Sequence, residues 1–189
     1  AGTVRTDRTD RSANSARIVF RIRTRCPVPE DRSMNAPIPV SVVDTPASTR
    51  SRLAQRLRRV IRGQVMFDAA ARGRYATDAS IYQVDPVGVV VPADEADVVA
   101  AIELARELRV PILPRGGGTS QCGQTVGEAL VIDNSRSLNQ VIAFDRDAMR
   151  VEVQPGIVLD HLNAFLKPHG LWYPVDVSTS AQATLGGMA

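Results

Sequence analysis

The chain has 189 residues, 44% of them hydrophobic, and a net charge of +3; that is enough for a domain with its own core, and no apolar run is long enough for a membrane-spanning helix. Cys26 and Cys122 lie far apart in sequence, which excludes a CxxC metal or redox pair and fits a reduced, cytoplasmic setting. Charge is segregated: residues 1–33 carry eight Arg against four acids, residues 34–74 eight Arg against Asp44 and Asp68, and residues 75–189 seven bases against fourteen acids; the basic part has almost no aromatics for base stacking, which argues against nucleic acid.

Residues 1–33 are rich in Arg, Thr, Ser and Asp, show no sustained period, and read as a disordered leader. The first residue is not Met, whereas Met34 opens a more ordinary sequence, so this segment is read as an artefactual or disposable extension. A mitochondrial transit peptide is the functional alternative; the four acids and the missing amphipathic stripe argue against it. Residues 34–71 form an N-terminal helical segment in this reading, and 72–189 the main domain. "STRSRLAQRLRRVIR", residues 48–62, predicts an amphipathic helix capped by Ser48 or Thr49, with Leu53, Leu57, Val60 and Ile61 on one face and Gly63 at its end. Its arginines suit a solvated face; docking to a partner or to an acidic membrane surface, at the inner face of the membrane, is the alternative.

"VGVVVP" predicts a strand ended by Pro92. Asp94 caps a helix to about Arg109, with Asp97 in its first turn and Val98, Val99, Ile102, Ala105 and Leu108 as the buried stripe. "VPIL" is the next strand, which completes a strand–helix–strand unit. The loop "LPRGGGTSQCGQTVG" leaves the end of that second strand, where ligands gather in α/β folds. "ALVID", "SLNQVIAFD" and "AMRVEVQPG" read as three strands, the last two joined by a turn at "DRD". Residues 157–168 predict a helix with Leu159, Leu162, Phe165 and Leu166 inward and Gly170 past its end. "LWYPVD" reads as a short strand, followed by a second glycine-bearing stretch, "STSAQATLGGMA", with no further helix or strand.

The first loop is neither of two familiar phosphate loops. A P-loop needs GxxxxGK, and the chain's only lysine is Lys167. A dinucleotide fingerprint needs a third glycine, where Gln121 stands, and a helix that starts at once. The physics outlives both motifs. Consecutive glycines let backbone N–H groups converge on an anion and let a diphosphate approach without meeting a Cβ. Thr119 and Ser120 add hydroxyls, and Arg115 adds charge. For an isolated GGG a plain tight loop is an equal reading.

The loop is not isolated. "PRGGGTSQCGQTVG", "VQPGIVLDHLNAFLKPHGL" and "PVDVSTSAQATLGGMA", in this order and spacing, resemble the FAD-linked oxidase family, also called the vanillyl-alcohol oxidase or PCMH-type FAD-binding domain. The similarity covers about residues 72–189, and is nearest to bacterial D-lactate, glycolate and D-2-hydroxyglutarate dehydrogenases. It implies an α+β fold with an N-terminal strand–helix–strand subdomain, incomplete at the C-terminal end. It also implies that Arg115, Gly116, Gly117, Gly118, Thr119, Ser120, Gly123 and Gln124 wrap the FAD diphosphate, mainly through amides. Pro174, Asp176, Thr179, Ser180, Thr184, Leu185, Gly186 and Gly187 would line a second wall. Pro155 and Gly156 would be a structural turn. Some relatives attach flavin through a histidine in the first loop; Thr119 stands there with no His nearby, so non-covalent FAD is expected. Cys122 reads as a small buried cysteine, and His161 and His169 as structural or surface residues. The implied function is FAD-dependent oxidation of a 2-hydroxy acid such as D-lactate or glycolate, with electrons passed to an acceptor such as an iron–sulfur domain or subunit. Catalytic residues are expected beyond Ala189, so the chain alone is expected to be inactive. The alternative is an anion- or nucleotide-binding module without redox function.

Overall fold

The computed structural model describes residues 19–20 and 45–189. The readings of Met34 as a start and of Cys26 lie outside the described residues, as does most of the segment read as a leader. Within that segment Val19–Phe20 forms a two-residue strand, β1. The other strands are β2 (Gln64–Met66), β3 (Gly88–Val91), β4 (Ile112–Arg115), β5 (Leu130–Asp133), β6 (Val141–Asp145) and β7 (Arg150–Val153). The helices are α1 (Ala47–Val60), α2 (Ala69–Tyr75), α3 (Glu95–Glu107), α4 (Leu159–Leu166) and α5 (Leu185–Met188).

Two sheets form, in the orders β2-β3-β5-β4 and β1-β7-β6. In the first, β3, β5 and β4 run parallel and β2 is antiparallel to β3. The apolar runs of β3 and β5 are buried at every residue, as strands covered on both faces must be. Edge strand β4 carries Pro114, whose missing N–H is tolerated there. The β3–α3–β4 unit is as expected, with β5 inserted between its two strands. In the second sheet β6 and β7 form an antiparallel hairpin, and β1 runs parallel to β7.

The first core joins Leu53, Leu57 and Ile61 of α1 and its end to Val87, Val90, Ala101, Ala105, Leu130 and Ile132. The second gathers Val151, Val153, Ile157, Leu159, Leu162, Leu166 and Leu185 around β7 and α4. Four expected core residues face outward: Val60 is 51% exposed, Val99 55%, Ile102 36% and Phe165 38%. The reason for α3 is size. It buries through Ala101 and Ala105, which let the helix lie close to its neighbours, and this turns Val99 and Ile102 to solvent.

Helix ends also differ from the sequence reading. Pro46, not Ser48 or Thr49, stands at the start of α1 and offers no side-chain acceptor. The helix stops at Val60 because Ile61 is extended. Gly63 serves a different purpose: a Cβ there would collide with the Val91 carbonyl, so the glycine lets β2 leave close beside β3. Asp94 caps α3 as expected, accepting from Asp97 N at 3.1 Å. Gly170 ends the α4 segment in the left-handed region, at φ +72°. "LWYPVD" forms no strand; Pro174 has no N–H, and Tyr173 N donates to Asn163 Oδ1 at 2.7 Å instead of to a ladder. Strand β2 and helix α2 carry no period long enough to announce them. A short helix, α5, begins at Leu185, where none was expected.

Candidate functional site: two glycine loops and a cationic cleft

Strands β3, β5 and β4 all end on one side of their sheet. A cleft of about 320 Å³ opens there, lined by Val91, Asp133 and Arg115 from the strand ends, Gln64 and Met66 of β2, Arg74 and Tyr75 of α2, Gly116, Gly117, Ser135 and Arg136. The first glycine loop leaves β4 at the cleft's edge. Among the described residues, none of the amides of Gly116, Gly117, Gly118, Thr119 and Ser120 donates to a protein acceptor, so five consecutive donors are left for solvent or a ligand.

The side chains of this loop shape it. The Arg115 guanidinium donates to three backbone carbonyls: Nη1 to Tyr75 O at 3.2 Å and Thr125 O at 2.9 Å, and Nη2 to Thr77 O at 2.7 Å. It also lies over the Tyr75 ring, 5.3 Å from the centroid. Gly118, at φ +66°, passes so close that a Cβ would sit 2.6 Å from Arg115 Nη2. Ser120 Oγ accepts from Cys122 N and Gln124 N, both at 3.3 Å, and contacts the Gln124 side chain. Gly123, at φ +78°, would press a Cβ into the Tyr82 ring. Asp78 completes the frame. It accepts Ser80 N at 2.8 Å and Thr125 Oγ1 at 3.0 Å. Desolvation pushes its carboxyl up, but the hydrogen bonds from Ser80 and Thr125 outweigh this and hold it below the ordinary value.

The second glycine stretch meets the first. A Cβ on Gly116 would strike Thr184 Oγ1, and one on Gly117 would strike the Gln182 carbonyl. These two glycines are therefore needed for loop-to-loop packing, a reason the sequence reading did not contain. Thr184 is buried, and Gln182 is exposed. Leu185 N donates to Ile157 O at 3.0 Å and Gly186 N to Pro155 O at 2.8 Å, which fixes this stretch to the start of α4. Gly186 packs on Pro155, whereas Gly187 has room for a Cβ. Thr179 and Ser180 form the turn above α4, with Ser180 O accepting Asp160 N at 3.2 Å. Pro174 and Asp176 are exposed, and no hydrogen bond among the described residues ties them to the first loop. The structure thus packs Gly116 and Gly117 against Thr184 and Gln182. Gly156 is a structural turn: a Cβ there would strike the Asn134 and Leu138 carbonyls.

Cys122 is exposed rather than buried, because the loop turns it to solvent. His161 is exposed, and His169 stacks with Phe144 and Phe165, at centroid distances of 4.7 and 5.9 Å. Sequence reasoning missed Tyr75, Asp133, Ser135, Arg74 and Arg136. Tyr75 Oη donates to Asp133 Oδ2 at 2.7 Å, and Asp133 Oδ1 accepts Ser135 N at 2.9 Å and Ser135 Oγ at 2.6 Å. Burial first, and the Asp133 carboxylate second, push the Tyr75 phenol up to about 12. The available signal was the end of "ALVID", a carboxylate at the carboxyl terminus of an apolar strand. No group of His, Cys, Asp and Glu among the described residues is placed to hold a metal ion.

A glycine loop whose amides have no acceptor among the described residues, leaving the carboxyl end of a parallel strand and packed against a second glycine stretch, gives this α+β domain a place for an anionic ligand such as a nucleotide. Residues 86–189 match the family model described as FAD binding domain, and the chain belongs to that family. It is 45% identical over 130 residues to D-2-hydroxyglutarate dehydrogenase from Pseudomonas putida, which covers 67% of this chain and 13% of that protein. It is 35% identical over 132 residues to glycolate oxidase subunit GlcD from Bacillus subtilis, covering 67% and 28%. Among solved structures, an alkyldihydroxyacetonephosphate synthase superposes with a TM-score of 0.65 at 25% identity, over 72% of this chain and 28% of that one. The chain therefore spans between about an eighth and under a third of the length of these proteins. The fold is the PCMH-type expected, and FAD is the cofactor of the domain. The residues present fit it: the unpartnered amides of Gly116 to Ser120 suit a diphosphate, and the cleft beside them is rich in arginine.

Proposed function

We propose that this chain is the FAD-binding part of a flavin-dependent oxidoreductase that oxidises a 2-hydroxy acid. The observation that carries the reading is the run of five amides from Gly116 to Ser120 that have no acceptor among the described residues, in a chain of the FAD-binding domain family. In this reading those amides hold the diphosphate non-covalently, Ser120 and Gln124 keep the loop in shape, and Thr184 to Gly187 form the facing wall. FAD held there would supply a two-electron acceptor for the substrate C–H bond, and these residues would hold and orient it. The 2-hydroxy-acid class is supported by the names of the relatives, and it carries with it an electron acceptor outside the described residues.

FAD titration followed by flavin fluorescence tests the cofactor part: saturable quenching is expected, with ADP displaced by FAD. ADP binding that FAD does not compete away would favour a nucleotide-binding module without redox function. The substrate class is tested by mixing the FAD-loaded protein, purified from its native source, anaerobically with D-2-hydroxyglutarate, D-lactate and glycolate. Bleaching of the visible flavin band by one of them is expected. A flavin that binds and is reduced by none of the three would overturn the substrate class.

A further inference from the structure

We propose that Arg74 and Arg136 form the cationic side of a phosphoryl-anion site in the cleft beside the first glycine loop, and that they, not Arg115, meet the diphosphate of the bound dinucleotide. The assignment rests on the FAD reading for the source of the anion, but its geometry does not. Three guanidinium groups and one carboxylate line the cleft. Arg115 is committed to three carbonyls and a ring face. Asp133 is buried and already accepts the Tyr75 hydroxyl and both donors of Ser135. It therefore forms no ion pair with any arginine among the described residues. Two cations remain. The guanidinium of Arg136 has no hydrogen-bond acceptor among the described residues, and that of Arg74 has only Met66 Sδ at 3.9 Å.

These two lie on one cleft with the free amides of Gly116 and Gly117. Of the pair, Arg136 is one of only seven bases set against fourteen acids in residues 75–189, and Arg74 comes from the arginine-rich residues 34–74; the fold brings them to one cleft. A planar guanidinium matches a phosphoryl group through paired N–H donors, and glycine amides add donors that need no side chain. The chemistry recognised is a phosphoryl anion; its source is either the FAD diphosphate or a separate phosphorylated ligand.

The test is the Arg74→Gln/Arg136→Gln double variant. Both side chains are exposed, so cooperative unfolding at the wild-type midpoint is expected. FAD and riboflavin are titrated at several salt concentrations, and inorganic phosphate binding is followed by calorimetry. If the arginines meet the diphosphate, FAD affinity falls about tenfold or more and its salt dependence becomes shallower, while riboflavin, which has no phosphate, binds unchanged. If FAD binding is unaltered but phosphate binding is lost, a separate phosphorylated ligand is the source and the diphosphate assignment falls. Unaltered binding of both overturns the site. A wild-type protein that binds phosphate through these arginines but never binds FAD would sink the cofactor reading and leave the site standing. Arg115→Gln is the contrast: it should lower the unfolding midpoint and weaken FAD binding without changing the salt dependence.

Discussion

Arg115 shows how one residue can be read correctly in place and differently in use. The sequence puts a cation at the mouth of a glycine loop, and a phosphate partner is the natural expectation. Folded, its fork spans the carbonyls of Tyr75, Thr77 and Thr125, a geometry a lysine cannot reproduce. Tyr75 is the other pivot. Its hydroxyl satisfies Asp133, a carboxylate only 4% exposed. Tyr75→Phe leaves Asp133 with one donor fewer and should cost about 1–3 kcal/mol in denaturant unfolding. The pH dependence has a definite sign. The folded phenol, at about 12, lies above its ordinary value of 10.0. Its contribution is therefore complete below pH 10 and is lost as pH rises from 10 toward 12. Wild-type stability should decline over that interval more steeply than that of Tyr75→Phe. Equal slopes for the two proteins would show that the Tyr75–Asp133 bond carries no linkage.

At the level of elements, the legible parts were those with a strong local pattern. The apolar runs of β3 and β5, the Asp94 cap and the left-handed Gly170 all follow from side chains near in sequence. What stayed hidden depends on distant partners. Gly63 reads as a helix terminator, but its reason is the Val91 carbonyl. Asp97 reads as a first-turn acid facing the helix dipole, yet it is 2% exposed. Its Oδ1 accepts Arg62 N at 3.0 Å, and its Oδ2 accepts Gly63 N at 2.9 Å and Ala93 N at 2.8 Å. One carboxylate thus joins the end of α1 to the start of α3. Among site residues, the glycine loops were visible as motifs, whereas Tyr75, Asp133 and Arg136 needed the fold to bring α2 and the end of β5 to one cleft. Desolvation pushes the Asp97 carboxyl up, but the amides of Ala93, Arg62 and Gly63, with the Arg62 charge, hold it below its ordinary value of 3.8. A depressed folded value stabilises above the ordinary value and is lost as pH falls below it. Asp97→Asn turns an amide NH₂ toward backbone donors. It should cost about 1–3 kcal/mol near neutral pH and should flatten the acid limb of the stability profile. An acid limb as steep in the variant as in wild type would mean that other carboxylates set it.

Across the whole molecule, two cores meet at two seams. At one, Gly156 N donates to Leu138 O at 2.7 Å, in a turn with no space for a Cβ against Asn134. At the other, Gly116 and Gly117 lie against Thr184 and Gln182. The first loop hangs from the β2-β3-β5-β4 sheet, and the second is fixed to α4 through Ile157 and Pro155. A ligand held by the first loop therefore restrains both halves. At a hundredfold excess over Kd, binding to the folded state alone adds about 2.7 kcal/mol, and the seam determines where that stability appears. Amide hydrogen exchange with and without FAD reads its distribution. The free amides of Gly116 to Ser120 should slow because they gain an acceptor. Leu185, Gly186 and Gly187 already have acceptors, so they should slow only if opening of the second loop is coupled to the first. Protection at both stretches is the expected result. Protection confined to residues 116–120 would mean that the loops touch without sharing their stability, and that the second wall forms independently of the cofactor.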